Sequence, residues 1–216
     1  SNLHKALGIF LLILSTGAVG YGQYYVLQHL PFIDCLPYKR GNDIKEQMKV
    51  PEGAIPDSVS IQMSFLKNGK TVQFDINQFP ADFDSTYVYQ DRQEVLIQKG
   101  NGMVAKIVDF SLLTINNVDT TAAIFNSDSP YVLIFSGNID TSIPWETLIK
   151  TIQQKNKQVY LVTADKVNAL QLKLDIPILI GDMTMIKTAA RVWPTIAIMN
   201  GATIMEKQSY IDFLKK

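Results

Sequence analysis

The hydrophobic pattern changes four times along the chain. From Ala6 to Ile33 there is no Asp, Glu, Lys or Arg. The run ALGIFLLILSTGAVGYGQYYVLQ predicts a membrane-crossing helix, since about 20 apolar residues span the hydrocarbon core. Gly8, Gly17, Gly20 and Gly22 are costly in a soluble helix and common in spanning ones. Tyr21, Tyr24, Tyr25 and Phe32 gather at the far end, where an interfacial aromatic belt belongs. Two other readings compete: a signal peptide, with Ala18-Val19-Gly20 as a cleavage site, and a buried soluble helix. His4 and Lys5 ahead of the span point to a cytoplasmic N-terminus, although Lys39 and Arg40 lie just past its other end.

Residues 30–57 carry four prolines and no clear period, which reads as an extended connector with a short helix at Ile44 to Lys49. From residue 58, SVSIQMSFL and TVQFDI alternate apolar and polar residues around Lys67-Asn68-Gly69-Lys70, a strong hairpin signal. TYVYQ and EVLIQ add two strand-like runs, making 58–105 a small β-rich region. After Ile107 strands and helices alternate. KIVDFSLLTINNVDTTAAIF reads as a strand, a turn and a second strand, and YVLIFSG as a buried strand. PWETLIKTIQQK follows as a helix, with Pro144 in its first turn and an apolar stripe of Trp145, Leu148, Ile149 and Ile152. Then come the strand QVYLVTA, a helix from Lys166 to Leu174, the short apolar run IPILIG and the helix MTMIKTAARV. A hairpin turning at Asn200-Gly201 and a last helix, YIDFLKK, ending in two lysines that suit its dipole, close the chain. The expected architecture is a mixed sheet covered on both faces.

Composition narrows the chemistry. Twenty basic and twenty acidic side chains give zero formal charge, which argues against nucleic-acid binding. The single cysteine, Cys35, cannot form an internal disulfide, a CxxC pair or a zinc site. It reads as an unpaired thiol, with palmitoylation or an intermolecular disulfide as alternatives. Asp82, Asp84 and Asp91 lack the spacing of a calcium loop and read as solvated. His4 and His29 have no nearby partner pattern. No Ser-His-Asp set, phosphate loop or dinucleotide motif is present, so no catalytic residue, metal or cofactor is expected.

From about Lys106 to Lys216 the order of elements resembles thioredoxin-like domains, particularly the TlpA and peroxiredoxin-related type. The residues carrying the likeness are Val108-Asp109-Phe110-Ser111-Leu112 before the first core strand, then Trp193-Pro194-Thr195 leading into IAIMNGATI. The resemblance implies a cis Pro194 and a substrate-type groove beside it. In this fold the reactive cysteines follow the first core strand, where this chain reads Ser136-Gly137-Asn138-Ile139-Asp140-Thr141-Ser142. A serine cannot replace the thiolate of disulfide exchange. The loop is expected to cap the next helix through Asp140, Thr141 or Ser142. A retained binding surface is the competing reading, with Ser136, Gly137, Asn138, Asp140 and Thr141 on one wall and Arg191, Trp193 and Pro194 on the other. A different docking surface, the β-rich region 58–98, is the alternative.

LPFIDCLPYKRGNDI, the KNGK hairpin, FPADFDSTYVY, LIQKG and IVDFSLL together resemble the C-terminal extension of DoxX-family membrane proteins from Bacteroidetes. There a four-helix membrane bundle precedes a last span and a thioredoxin-like domain. The family carries an aromatic residue where Cys35 stands. The likeness implies that this chain, which starts with Ser, is the tail of a longer protein. The organisation expected is a transmembrane helix (1–29) in contact with the lipid bilayer through residues 6–28, a connector (30–57), a β-rich region (58–105) and a thioredoxin-like domain (106–216). The function expected is a redox-inactive domain on the periplasmic side of a bacterial inner membrane, binding a membrane or periplasmic protein. An accessory role in a DoxX-type oxidoreductase system is the alternative.

Overall fold

The computed structural model describes residues 2–155 and 157–215, excluding the side chains of residues 2–4 and 6, so the side chain of His4 and the closing Lys216 lie outside the described residues. The chain forms two compact units, one from residues 1–48 and 106–216, the other Lys49–Ala105. The connector expected at 30–57 is therefore divided between them.

The first unit begins with helix α1, Asn2–Gln28. Its stretch Leu7–Gln28 is long and apolar enough to cross a membrane, and none of its most apolar window is buried against the rest of the chain. Twenty-two residues at about 1.5 Å rise each span roughly 33 Å, close to the ~30 Å hydrocarbon thickness. The hydroxyls of Ser15 and Thr16 donate to the carbonyl of Leu12, at 2.9 and 2.8 Å. Such bonds pair both hydroxyls within their own helix.

A six-stranded mixed sheet forms the body of this unit. Its strands are β4 (Leu113–Thr114), β5 (Tyr131–Ser136), β6 (Gln158–Thr163), β7 (Ile178–Ile180), β8 (Thr195–Asn200) and β9 (Thr203–Ser209), in the order β4-β7-β6-β5-β8-β9. Strand β5 runs parallel to β6 and antiparallel to β8. All its residues are buried, as a central strand covered on both faces requires. Tyr131, Leu133 and Phe135 join one core with Phe110, Phe125, Ile186 and Met199. Val132 and Ile134 join the other with Trp145, Leu148, Ile152 and Phe213. Helices α3 (Thr121–Phe125) and α6 (Met183–Ala189) feed the first core, and α4 (Trp145–Gln153), α5 (Lys166–Gln171) and α7 (Tyr210–Leu214) the second.

Several local expectations are corrected. The strand read into TTAAIF is helix α3, whose neighbours Ile124 and Phe125 are both buried, an arrangement one face of a strand cannot give. The final hairpin pairs Asn200 with Thr203, so its two-residue turn is Gly201-Ala202. Gly201 has φ +56°, the first-position conformation that such tight turns reserve for glycine. Helix α5 stops at Gln171, and Lys173 then adopts φ +49°. Helix α4 has Pro144 at its N-cap position and no side-chain cap. Asp140 instead accepts the backbone N–H of Ser142 at 2.8 Å, inside the loop.

The connector is more structured than its prolines suggest. Tyr38 and Ile44 belong to the core. The N–H of Gly41 reaches the Ile204 carbonyl at 2.7 Å, Ile204 returns an N–H to Asn42 at 3.0 Å, and Ile44 bonds Ala202 at 2.9 Å. Residues 41–44 thus lie along β9 like an added edge strand, followed by helix α2 (Ile44–Gln47), which Asp43 caps.

The second unit is a three-stranded antiparallel sheet in the order β2-β1-β3, from β1 (Ser58–Lys67), β2 (Lys70–Asp75) and β3 (Val88–Gln98). The hairpin turn has Asn68 and Gly69 both at positive φ, the geometry that Asn-Gly favours. Val88-Tyr89-Gln90 of TYVYQ and the whole of EVLIQ belong to one strand, β3, bulged against β1 near Ser64/Phe65, while Thr86 and Tyr87 precede it. Phe65 centres an aromatic cluster with Phe74, Phe79, Phe83, Tyr87 and Tyr89. Asp82, read as solvated, accepts an ion pair from Lys67 at 2.6 Å.

Candidate binding cleft at the helix exit

The two walls expected to frame a groove meet in the structure. Ser136 ends β5, is fully buried, and donates its hydroxyl to the carbonyl of Asn138 at 2.7 Å. Gly137 follows, with its carbonyl accepting the buried Thr163 hydroxyl at 3.3 Å. A Cβ on Gly137 would stand 2.4 and 2.5 Å from two ring carbons of Trp193 and 2.9 Å from the Met183 sulfur. The Trp193 ring therefore packs directly on the loop backbone. Beyond it Asn138, Asp140 and Thr141 are exposed. Hydrogen bonds from Ser142 hold the Asp140 carboxyl below the usual range.

The opposite wall is ordered by short-range bonds. Trp193 donates its indole N–H to the Ala190 carbonyl at 3.1 Å, and Thr195 its hydroxyl to Val192 at 2.6 Å. The Trp193–Pro194 bond is cis. Pro194 is buried, and its carbonyl accepts the N–H of Tyr210 at 3.1 Å.

Away from the loop, Trp193 borders a cleft of about 1040 Å³ that the sequence reading missed. One side is the end of α1 and the start of the connector, with Tyr25, His29 and Phe32. The other is α6 and its exit, with Lys187, Arg191 and Trp193. Tyr25 stacks on His29 at 4.4 Å and on Phe32 at 5.2 Å between centroids.

Two side-chain pairs tie the end of α1 and the connector to the C-terminal elements. His29 Nδ1 lies 2.7 Å from Asp212 Oδ1, while the other carboxylate oxygen accepts the Ser209 hydroxyl at 2.8 Å. Partial burial would raise the Asp212 pKa, but the bonds from His29 and Ser209 outweigh it and the carboxyl lies low. The carboxylate stands between the serine and His29, so this is not the hydroxyl–imidazole contact that nucleophile activation requires. Lys207 on β9, its side chain only 5% exposed, pairs with Asp34. It also donates to the carbonyls of Tyr38 at 2.7 Å and Ala189 at 3.3 Å. The partner of His29 lies 183 residues away, beyond the reach of any local spacing rule.

Cys35 is free and exposed in the connector. Among the described residues no group of three or more His, Cys, Asp or Glu converges as for a metal ion.

A family model described as a domain of unknown function (DUF8463) matches residues 61–99, within the three-stranded unit. No curated protein and no solved structure matches the chain.

Proposed function

We propose that this chain is a membrane-anchored, non-catalytic thioredoxin-like domain that binds a partner protein or supports a membrane protein complex, on the periplasmic side of an inner membrane. The central β5-β6 parallel pair and the β8-β9 hairpin beside it support the thioredoxin-like reading. The loop after β5 carries Ser136 and Gly137 in place of thiols, and the one cysteine is Cys35 in the connector, which supports a binding role over disulfide exchange. The resemblance to DoxX-family extensions supports a place beside a larger membrane component.

The observation that carries the binding role is the exposure of β3. This edge strand is eleven residues long and exposed throughout. Val88, Tyr89, Val95, Leu96 and Ile97 are all solvent-facing. Folded proteins normally blunt such an edge, because its unpaired backbone groups template strand addition. The loop side of Trp193 offers no comparable backbone, since the ring closes over Gly137. The geometry thus favours the three-stranded unit as the partner surface.

Gentle detergent purification of the chain tests this. A bound protein recovered with the natural chain is expected to be lost with Val88→Lys and Leu96→Lys combined. It is retained with Arg191→Ala and Trp193→Ala combined, both variants folded by circular dichroism. The reverse pattern moves the contact to the Trp193 face; recovery of no partner overturns the reading.

A further inference from the structure

The cleft at the exit of α1 is lined by residues of the first unit, whereas β3 belongs to the second. Ten of its fifteen lining residues are apolar or aromatic; the others are His29, Thr184, Lys187, Thr188 and Arg191, with no carboxylate. Asp34 and Asp212 are engaged by Lys207 and His29, and Asp182, which accepts the N–H of the lining residue Thr184 at 2.7 Å, caps helix α6. Lys187 and Arg191 form no ion pair with a carboxylate among the described residues. Asp34 also feels the charge of Arg191, but Lys207 engages the same carboxylate, so Lys187 and Arg191 border the apolar hollow with cationic charge in excess.

The position of the hollow decides what fills it. Tyr25, Val26 and Leu27 are its wall and also the last turn of the apolar stretch Leu7–Gln28. With that stretch across a bilayer, its last turn lies at the depth of the lipid headgroups, where tyrosine rings also settle. The cleft then opens sideways into the headgroup layer. Its volume, about 1040 Å³, accommodates a ligand larger than most metabolites. A free anion would leave the apolar wall wet, and a zwitterionic lipid would bring its own cation beside Lys187 and Arg191.

We infer that this cleft seats an anionic phospholipid of the surrounding bilayer, its phosphate between Lys187 and Arg191 and the upper part of an acyl chain against Tyr25, Phe32 and Trp193. This inference rests on the membrane-spanning reading of α1. Basic pockets at the membrane surface hold acidic headgroups by this combination of charge and apolar contact. Such a lipid would join the end of α1 to the Arg191–Trp193 segment without a covalent link.

The test uses the full chain in vesicles of brominated lipid, read by tryptophan fluorescence. Trp145→Phe leaves Trp193 as reporter; Trp193→Phe leaves Trp145, buried in the second core, as control. Brominated phosphatidylglycerol is expected to quench Trp193 at a lower mole fraction than brominated phosphatidylcholine, and Trp145 equally with either. Lys187→Gln and Arg191→Gln should each reduce the preference about five-fold. Native mass spectrometry of the natural chain and the double Gln variant, which needs no tryptophan change, should show phosphatidylglycerol retained only by the former. Equal quenching by both lipids, or a preference surviving both substitutions, overturns the inference. Loss of the chain from vesicles on alkaline washing instead overturns the spanning helix.

Discussion

The ring of Trp193 occupies the space that any side chain at position 137 would need, two of its carbons lying 2.4 and 2.5 Å from where the Cβ of residue 137 would stand. The glycine is needed for close approach, since its φ is not among the positive values. Gly137→Ala must push the indole aside, and overpacking of this kind costs about 1–3 kcal/mol. Chemical denaturation should show that loss. Trp193→Leu, which clears the space, should restore most of it in the double variant. Additive losses would mean that the two residues do not share the site.

Lys207 gives a larger expected effect. Removing one partner of a buried pair strands the other, at a cost of about 3 kcal/mol. Lys207→Met also leaves the carbonyls of Tyr38 and Ala189 without this donor. A double-mutant cycle with Asp34→Asn should give a coupling of about 1–3 kcal/mol. A coupling near zero would place the pair among surface bridges that contribute little.

The same pair sets an acid dependence. Burial pushes the Asp34 carboxyl up, but the bonds from Lys207 and the Leu36 N–H hold it below the ordinary value of 3.8. Burial pulls Lys207 below the usual ammonium range, and Asp34 only partly reverses this. A carboxyl with a depressed folded pKa stabilises fully above its unfolded value, about 3.9, and loses that contribution as pH falls through the folded one. The urea midpoint of the natural chain should therefore fall below about pH 4. In Lys207→Met, Asp34 loses its main counter-charge and keeps only the Leu36 N–H and the more distant Arg191, so its stabilising contribution shrinks. The difference between the two midpoints should narrow on acidification; a constant difference would show that Asp34 is not the titrating group.

Elements whose residues carry their own instruction were legible. The uncharged run of α1, the Asn68-Gly69 turn and the continuous apolar β5 each needed only local pattern. Helix α3 was misread because five residues fit either period, and burial of Ile124 beside Phe125 is a tertiary fact. The cleft could not be read at all. Its walls come from residues 25–36 and 184–193, and the pairs His29–Asp212 and Asp34–Lys207 join positions with no sequence relation. Arg191 and Trp193 were singled out by residue type and by the neighbouring proline. Their ring-to-backbone contact with Gly137 became visible only with the sheet assembled.

The hydrogen bonds from residues 41–44 to the β9 hairpin have a practical corollary for anyone preparing a soluble fragment. Cutting at the start of the β-rich region, where the proline-rich stretch ends, discards Tyr38 and Ile44 from the interior and bares the outer strand of the main sheet. Such a fragment would expose fresh backbone and is expected to self-associate. One begun near His29 keeps that edge sealed. The stretch that looks like a tether is a structural part of what it tethers.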